Sequence, residues 1–116
     1  MEIEKNKKYQ HFAKKVLEYR DALGLRDWEI IVIAEEMEDR GRCYPNLLGR
    51  ICTISAGIEF VTDKDTTYEE IEKIAFHEVL ETMLSPLVSE AERFYSKEYM
   101  EVMTHDIIQR VTNLVF

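Results

Sequence analysis

One histidine and two glutamates in the run Ile74-Ala75-Phe76-His77-Glu78-Val79-Leu80-Glu81 have the types and spacing for metal chemistry. His77 and Glu81 stand four residues apart. On a helix such a pair shares one face and can reach a single divalent ion, as the ligands of an HExxH pattern do. Glu78 would then flank that face, where a carboxylate can take a proton from a water the ion has acidified. A catalytic zinc usually takes three protein ligands and keeps one position open. The chain has three histidines, His11, His77 and His105. His11 lies among lysines and reads as a surface residue. His105, in Met103-Thr104-His105-Asp106-Ile107-Ile108, reads as the partner of His77 across a pair of helices. Because the pattern is HExxE and not HExxH, spacing alone also allows a core histidine hydrogen-bonded to Glu81, with the glutamates on a solvated face.

Helices and strands must hold these residues. Tyr9, Phe12, Val16, Tyr19 and Leu23 recur at three- and four-residue steps, which predicts an amphipathic helix over 7–23 stopped by Gly24. Trp28 to Ile33 is aromatic and β-branched and predicts a strand. The acidic stretch Glu35 to Asp39, closed by Gly41, reads as a loop. Cys43-Tyr44, Leu47 to Ser55 and Ile58 to Thr62 suggest two or three further short strands, punctuated by Pro45-Asn46 and Ala56-Gly57. Thr66 and Thr67, followed three residues later by Glu69 and Glu70, give a capping box in either register. The helix they start should run to about Leu84, since Pro86 pushes its predecessor out of the α region. Ser89 with Glu92 marks a second start, and a long last helix over about 90–115 carries His105. The order predicts an α+β domain spanning 1–116: an N-terminal helix, a small twisted sheet of three or four strands, a site helix and a long C-terminal helix.

The central helix is apolar nearly all round from residue 74 to 88, with Phe76, Val79, Leu80, Met83, Leu84 and Leu87 among its residues. Ionisable groups buried there without partners would cost several kcal/mol, on the order of what an unpaired buried charge costs. A metal ion turns the imidazole and carboxylate into ligands and removes that cost.

Composition narrows the partners. The net charge is −8, from 15 basic and 23 acidic residues, which disfavours direct nucleic-acid binding through a basic patch. The polar start of the chain carries no signal-peptide pattern, and no stretch approaches the ~20 apolar residues of a membrane span. A cytoplasmic protein without membrane contact is expected. Cys43 and Cys52 fit a reducing compartment and read as free core thiols, with a facing pair across a hairpin left open.

The string Ile74 to Leu84, followed by Leu87 and by His105-Asp106-Ile107-Ile108, resembles the small phage-type zincin-like metallopeptidases, or minimal zincins. Leu25-Arg26-Asp27-Trp28-Glu29-Ile30 resembles the start of their first strand. The resemblance covers most of the chain after Leu23. It implies the same fold, a Zn²⁺ ion, hydrolysis of a peptide or protein substrate, His77 as ligand and Glu78 as general base. The departure is Glu81, where the commoner pattern has histidine. With His105 the count stays at two histidines and one carboxylate, which zinc accepts in catalytic sites.

For such an enzyme an extended peptide would pair with an edge strand, expected near Gly49 to Ser55. Tyr44, Tyr95 or Tyr99 would serve the oxyanion, and Asp106 or Glu101 would orient a ligand histidine. Two other readings stand beside it. One is a metal-stabilised interaction protein without catalysis. The other is an acidic, metal-free protein that imitates nucleic acid, in which Glu35, Glu36, Glu38, Asp39, Glu90 and Glu92 would matter, although they form no long regular array.

Overall fold

The computed structural model describes residues 2–116. After a 3-10 turn at Ile3–Lys5, helix α1 covers Lys7–Ala22. The Asn6 side chain accepts the Tyr9 N–H at 2.8 Å and caps it. The chain leaves the helix through Gly24 at φ +74°, a backbone that favours glycine because no Cβ clashes there.

Three strands follow: β1 (Glu29–Glu35), β2 (Gly41–Asn46) and β3 (Ile51–Gly57). They form one mixed sheet in the order β1-β3-β2, with β1 parallel and β2 antiparallel to β3. Helix α2 (Ile58–Thr62) is a short link to α3 (Tyr68–Ala91), and α4 (Lys97–Val115) closes the fold. The architecture is α+β. Ile30, Cys52, Ile54 and Ala56 from the sheet pack with Phe12 and Val16 of α1 and with Ile71, Ala75 and Val79 of α3; Trp28 joins the same core.

Four expectations need correction. Ile58–Thr62 is a short helix and not a strand. Its Thr62 hydroxyl donates to the Ile58 carbonyl at 2.7 Å, and its Val61 is buried, so packing overrides β-branched composition. Gly49 to Ser55 is no edge. It comprises a turn and most of β3, the central strand; the edges are β1 and β2. An edge position also explains how β2 tolerates Pro45, which has no N–H to donate.

The third correction concerns α3, which runs on past Leu84 with Pro86 inside it. Pro86 cannot donate to the Thr82 carbonyl, but the Ser85 hydroxyl does so at 2.7 Å, and the turn survives. The second start therefore falls later, at Ser96, whose hydroxyl accepts the Tyr99 N–H at 3.1 Å. Ser89 lies within α3. Nor is α3 buried all round: in its second half Met83 is exposed and Leu87 is 67% exposed. Of the two possible capping boxes, the one used joins Thr67 and Glu70.

Fourth, His11 is not merely a surface residue. It is half-buried between α1 and α3, with Nε2 2.7 Å from Glu72 Oε2 and its ring edge-on to Tyr68. Among the described residues, no helix is long and apolar enough to cross a membrane.

Candidate metal centre

Two helices build the centre. α4 packs on α3 through Phe76, Leu80 and Ile108, with Leu84 and Val111 around them. His77 and Glu81 each follow one of the α3 contact residues, and His105 lies one turn before Ile108. The same apolar contact therefore brings the three polar side chains together.

His77 Nε2 lies 3.3 Å and His105 Nε2 3.1 Å from the same oxygen, Glu81 Oε1. The two imidazole rings are 5.6 Å apart between centroids. The three ligand atoms all lie within 4.8 Å of one another, so the group can hold a metal ion. A tetrahedral ion about 2.1 Å from each donor atom spaces its ligands about 3.4 Å apart. Both histidine–glutamate distances meet that spacing. Glu81 is the common partner, while His105 is the most exposed of the three.

Glu78 stands beside them. It is buried, and among the described residues its Oε1 has no hydrogen-bond partner. Burial, then the charge of Glu81, push its carboxyl up to about 9. Burial also works against ionisation of Glu81, but hydrogen bonds from His77, from the Glu78 carboxyl and from His105 outweigh it. The net effect holds Glu81 below its ordinary value. Without a cation, one carboxyl is thus pushed toward its protonated form and its neighbour toward its ionised form, the separation expected where two acids of one site have different roles. An orphaned buried carboxyl oxygen next to two imidazoles and a carboxylate fits a metal site.

Glu78 faces a cleft of about 430 Å³, which Gly41, Tyr44, His77, Glu81 and His105 also line. Gly41 is a site residue that sequence reasoning missed. A Cβ there would stand 2.8 Å from Ile74 Cγ2 and 3.1 Å from both Cγ and Oε2 of Glu78, so the carboxyl's position depends on that glycine. The only sequence signal was a glycine closing an acidic loop. Arg40 and Arg42 also line this cleft, adding cations that had not been singled out. A second cleft of about 360 Å³ opens on the other side of Glu81 and His105, over Pro45, Leu47, Val88 and Met100.

Of the oxyanion candidates, only Tyr44 reaches a cleft, and its hydroxyl donates to Glu35 at 2.9 Å. Tyr95 and Tyr99 stack on each other at 5.5 Å and line neither cleft. Asp106 accepts from Arg110 at 3.1 Å, not from a ligand histidine. Glu101 lines the smaller cleft, and among the described residues no hydrogen bond joins it to His77 or His105. Comparison with protein-family models, with curated proteins and with solved structures gives no match.

Proposed function

We propose that this protein is a zinc-dependent peptidase in which His77, Glu81 and His105 hold the ion and Glu78 is the general base. One observation carries the reading: a buried carboxyl with an unpartnered oxygen adjoins three convergent ligand atoms at the mouth of an open cleft. Two imidazoles and a carboxylate suit zinc better than magnesium or calcium, which prefer oxygen-only sets. Zinc bound there supplies Lewis acidity, polarising a carbonyl and lowering the pKa of a water toward ~7.

The chain's own groups do the remaining work. Glu78 accepts a proton on its carboxylate and returns it to the leaving amine. Without a cation beside it burial holds that carboxyl protonated; the positive charge of a bound ion would favour the carboxylate, and burial would keep it basic enough for the exchange. Glu81 keeps both imidazoles turned toward one point. β2, an edge strand that walls the larger cleft through Gly41 and Tyr44, offers backbone N–H and C=O groups to an extended peptide. The free thiols Cys43 and Cys52 suit a cytoplasmic setting.

The test is metal analysis joined to turnover. Purified protein should carry one zinc per chain and cleave a fluorogenic peptide library. Glu78→Gln should keep the zinc and lose cleavage about 10²–10⁴-fold, the usual contribution of a general base. Protein purified without chelators yet free of zinc would sink the reading.

A structural role for the same ion has one observation in its favour. α4 buries only Ile108 and Thr112, so an ion shared by His105 and α3 would anchor a lightly held helix. Zinc present with no cleavage for Glu78→Gln to remove would decide for that role.

A further inference from the structure

We propose that Cys43 and Cys52 are a redox-active thiol pair, which a hydroperoxide oxidises to an intramolecular disulfide beneath the metal centre. The register of β2 on β3 pairs Cys43 with Ile54 and Pro45 with Cys52. The two cysteines are therefore diagonal neighbours on one face of the sheet, the face toward α3. Their sulfurs already lie 3.2 Å apart, and a disulfide needs them about 1 Å closer.

Access is unequal. Cys43 is half-buried and lines both clefts beside Glu81, whereas Cys52 is buried behind it. The reagent meets Cys43 first, and Cys52 waits within reach of the oxidised sulfur. The Cys43 sulfur attacks one peroxide oxygen, the O–O bond breaks, and one water (or alcohol) leaves with the thiol's proton. Cys52 then attacks the Cys43 sulfenic sulfur, the S–O bond breaks, and a second water leaves. Two thiols are oxidised by two electrons, and one peroxide is reduced.

The pair is wired to the helix that bears the site. Thr82 Oγ1 lies 3.2 Å from each sulfur and donates its own proton to the Glu78 carbonyl at 3.1 Å. Having spent its donor, that oxygen can only accept from a thiol. Oxidation removes both S–H groups, so the Thr82 oxygen beside Glu81 loses its thiol donor when the disulfide closes.

The experiment treats the purified full-length chain with hydrogen peroxide and counts thiols after denaturation. Free thiols should fall from two to none, with a loss of two hydrogens in mass. Trypsin, cutting after Arg42 and Arg50, should release segments 43–50 and 51–64 joined by the disulfide. The oxidised chain should melt at a higher temperature, and Cys43→Ser and Cys52→Ser should show neither the linkage nor the rise. In Cys52→Ser, the remaining Cys43 should stop at the sulfenic acid and take up a dimedone probe. Added oxygen on Cys43 with Cys52 still free in the unsubstituted chain would overturn the proposal. So would chains joined into dimers, or two thiols left unchanged. None of these outcomes depends on the peptidase reading.

Discussion

Glu78 sets the His77–Glu81–His105 group, which could hold a metal ion, apart from an ordinary cluster of polar groups, and its burial has a measurable sign. Burial, then the charge of Glu81, push its carboxyl up to about 9 in the folded chain without an ion, against an ordinary value of 4.5. Below 4.5 the group is protonated whether the chain is folded or not, and it costs nothing. Between about 4.5 and 9 the unfolded chain gives up that proton and the folded chain keeps it. Metal-free stability therefore falls as pH rises through this window, by at most about 1.4 kcal/mol per unit from this one group. The depressed Glu81 carboxyl has the opposite sign, but its stabilisation is lost only below the ordinary carboxylate value, outside the window. Urea unfolding in chelator from pH 5 to 8.5 should show the decline. Glu78→Gln should flatten it and be more stable than the parent at pH 8 by about 1–3 kcal/mol, because it removes a buried, unpartnered ionisable group. A parent curve as flat as the variant's would mean that Glu78 ionises freely. Gly41→Ala tests the same carboxyl from the other side. The added methyl should destabilise by about 1–3 kcal/mol through overpacking and abolish cleavage by displacing Glu78, while zinc stays bound. His77 and Glu81 were legible as a pair because type and spacing on one helix carry their meaning locally, and His105 meets them only through the packing of α4 on α3. Gly41 was not, because its need for no side chain comes from Ile74 and Glu78, far along the chain.

Elements whose signals are local appear where the sequence puts them. α1 follows its apolar steps, and the Thr67–Glu70 box starts α3. Errors came where a long-range partner decides. β3 lies between β1 and β2 because parallel β1–β3 pairing places β2 outside, and no strand announces its neighbours by composition. Pro86 misled for a related reason: its penalty is general, whereas the rescue by Ser85 is one particular hydrogen bond. That rescue can be tested. Ser85→Ala should leave the Thr82 carbonyl unpaired and cost about 1–2 kcal/mol of stability in chemical denaturation. It should also raise amide exchange over the last turns of α3 while α1 stays protected. A loss spread evenly over the molecule would mean that the helix tolerates Pro86 by other means.

Across the whole molecule the helices are held unequally. α1 and α3 share the main core with the sheet, but α4 meets the remainder through a smaller cluster of three buried residues, Phe76, Leu80 and Ile108. Much of its apolar surface stays open, including Val102 and Leu114. The group formed by His77, Glu81 and His105 is a further tie between α4 and the body, at one end of that cluster, and Phe116 against Tyr19 and Phe76 is another. With a net charge of −8, the chain also has an electrostatic reason to gain from a bound cation. An ion that binds the folded chain alone adds RT ln(1 + [L]/Kd), about 2.7 kcal/mol at a hundredfold excess over Kd, or on the order of 10 °C in Tm for a small domain. Zinc should therefore raise Tm by that order in the parent and leave His105→Ala unmoved. His11→Ala, which breaks the His11–Glu72 contact between α1 and α3 away from the centre, should start from a lower Tm yet keep the full zinc increment. Amide exchange should place the gain chiefly in α4, because the elements of the main core are already protected without the ion. Equal protection in α1 and β3, or an increment that survives His105→Ala, would show that the cation acts on the acidic surface as a whole and not by joining α4 to α3.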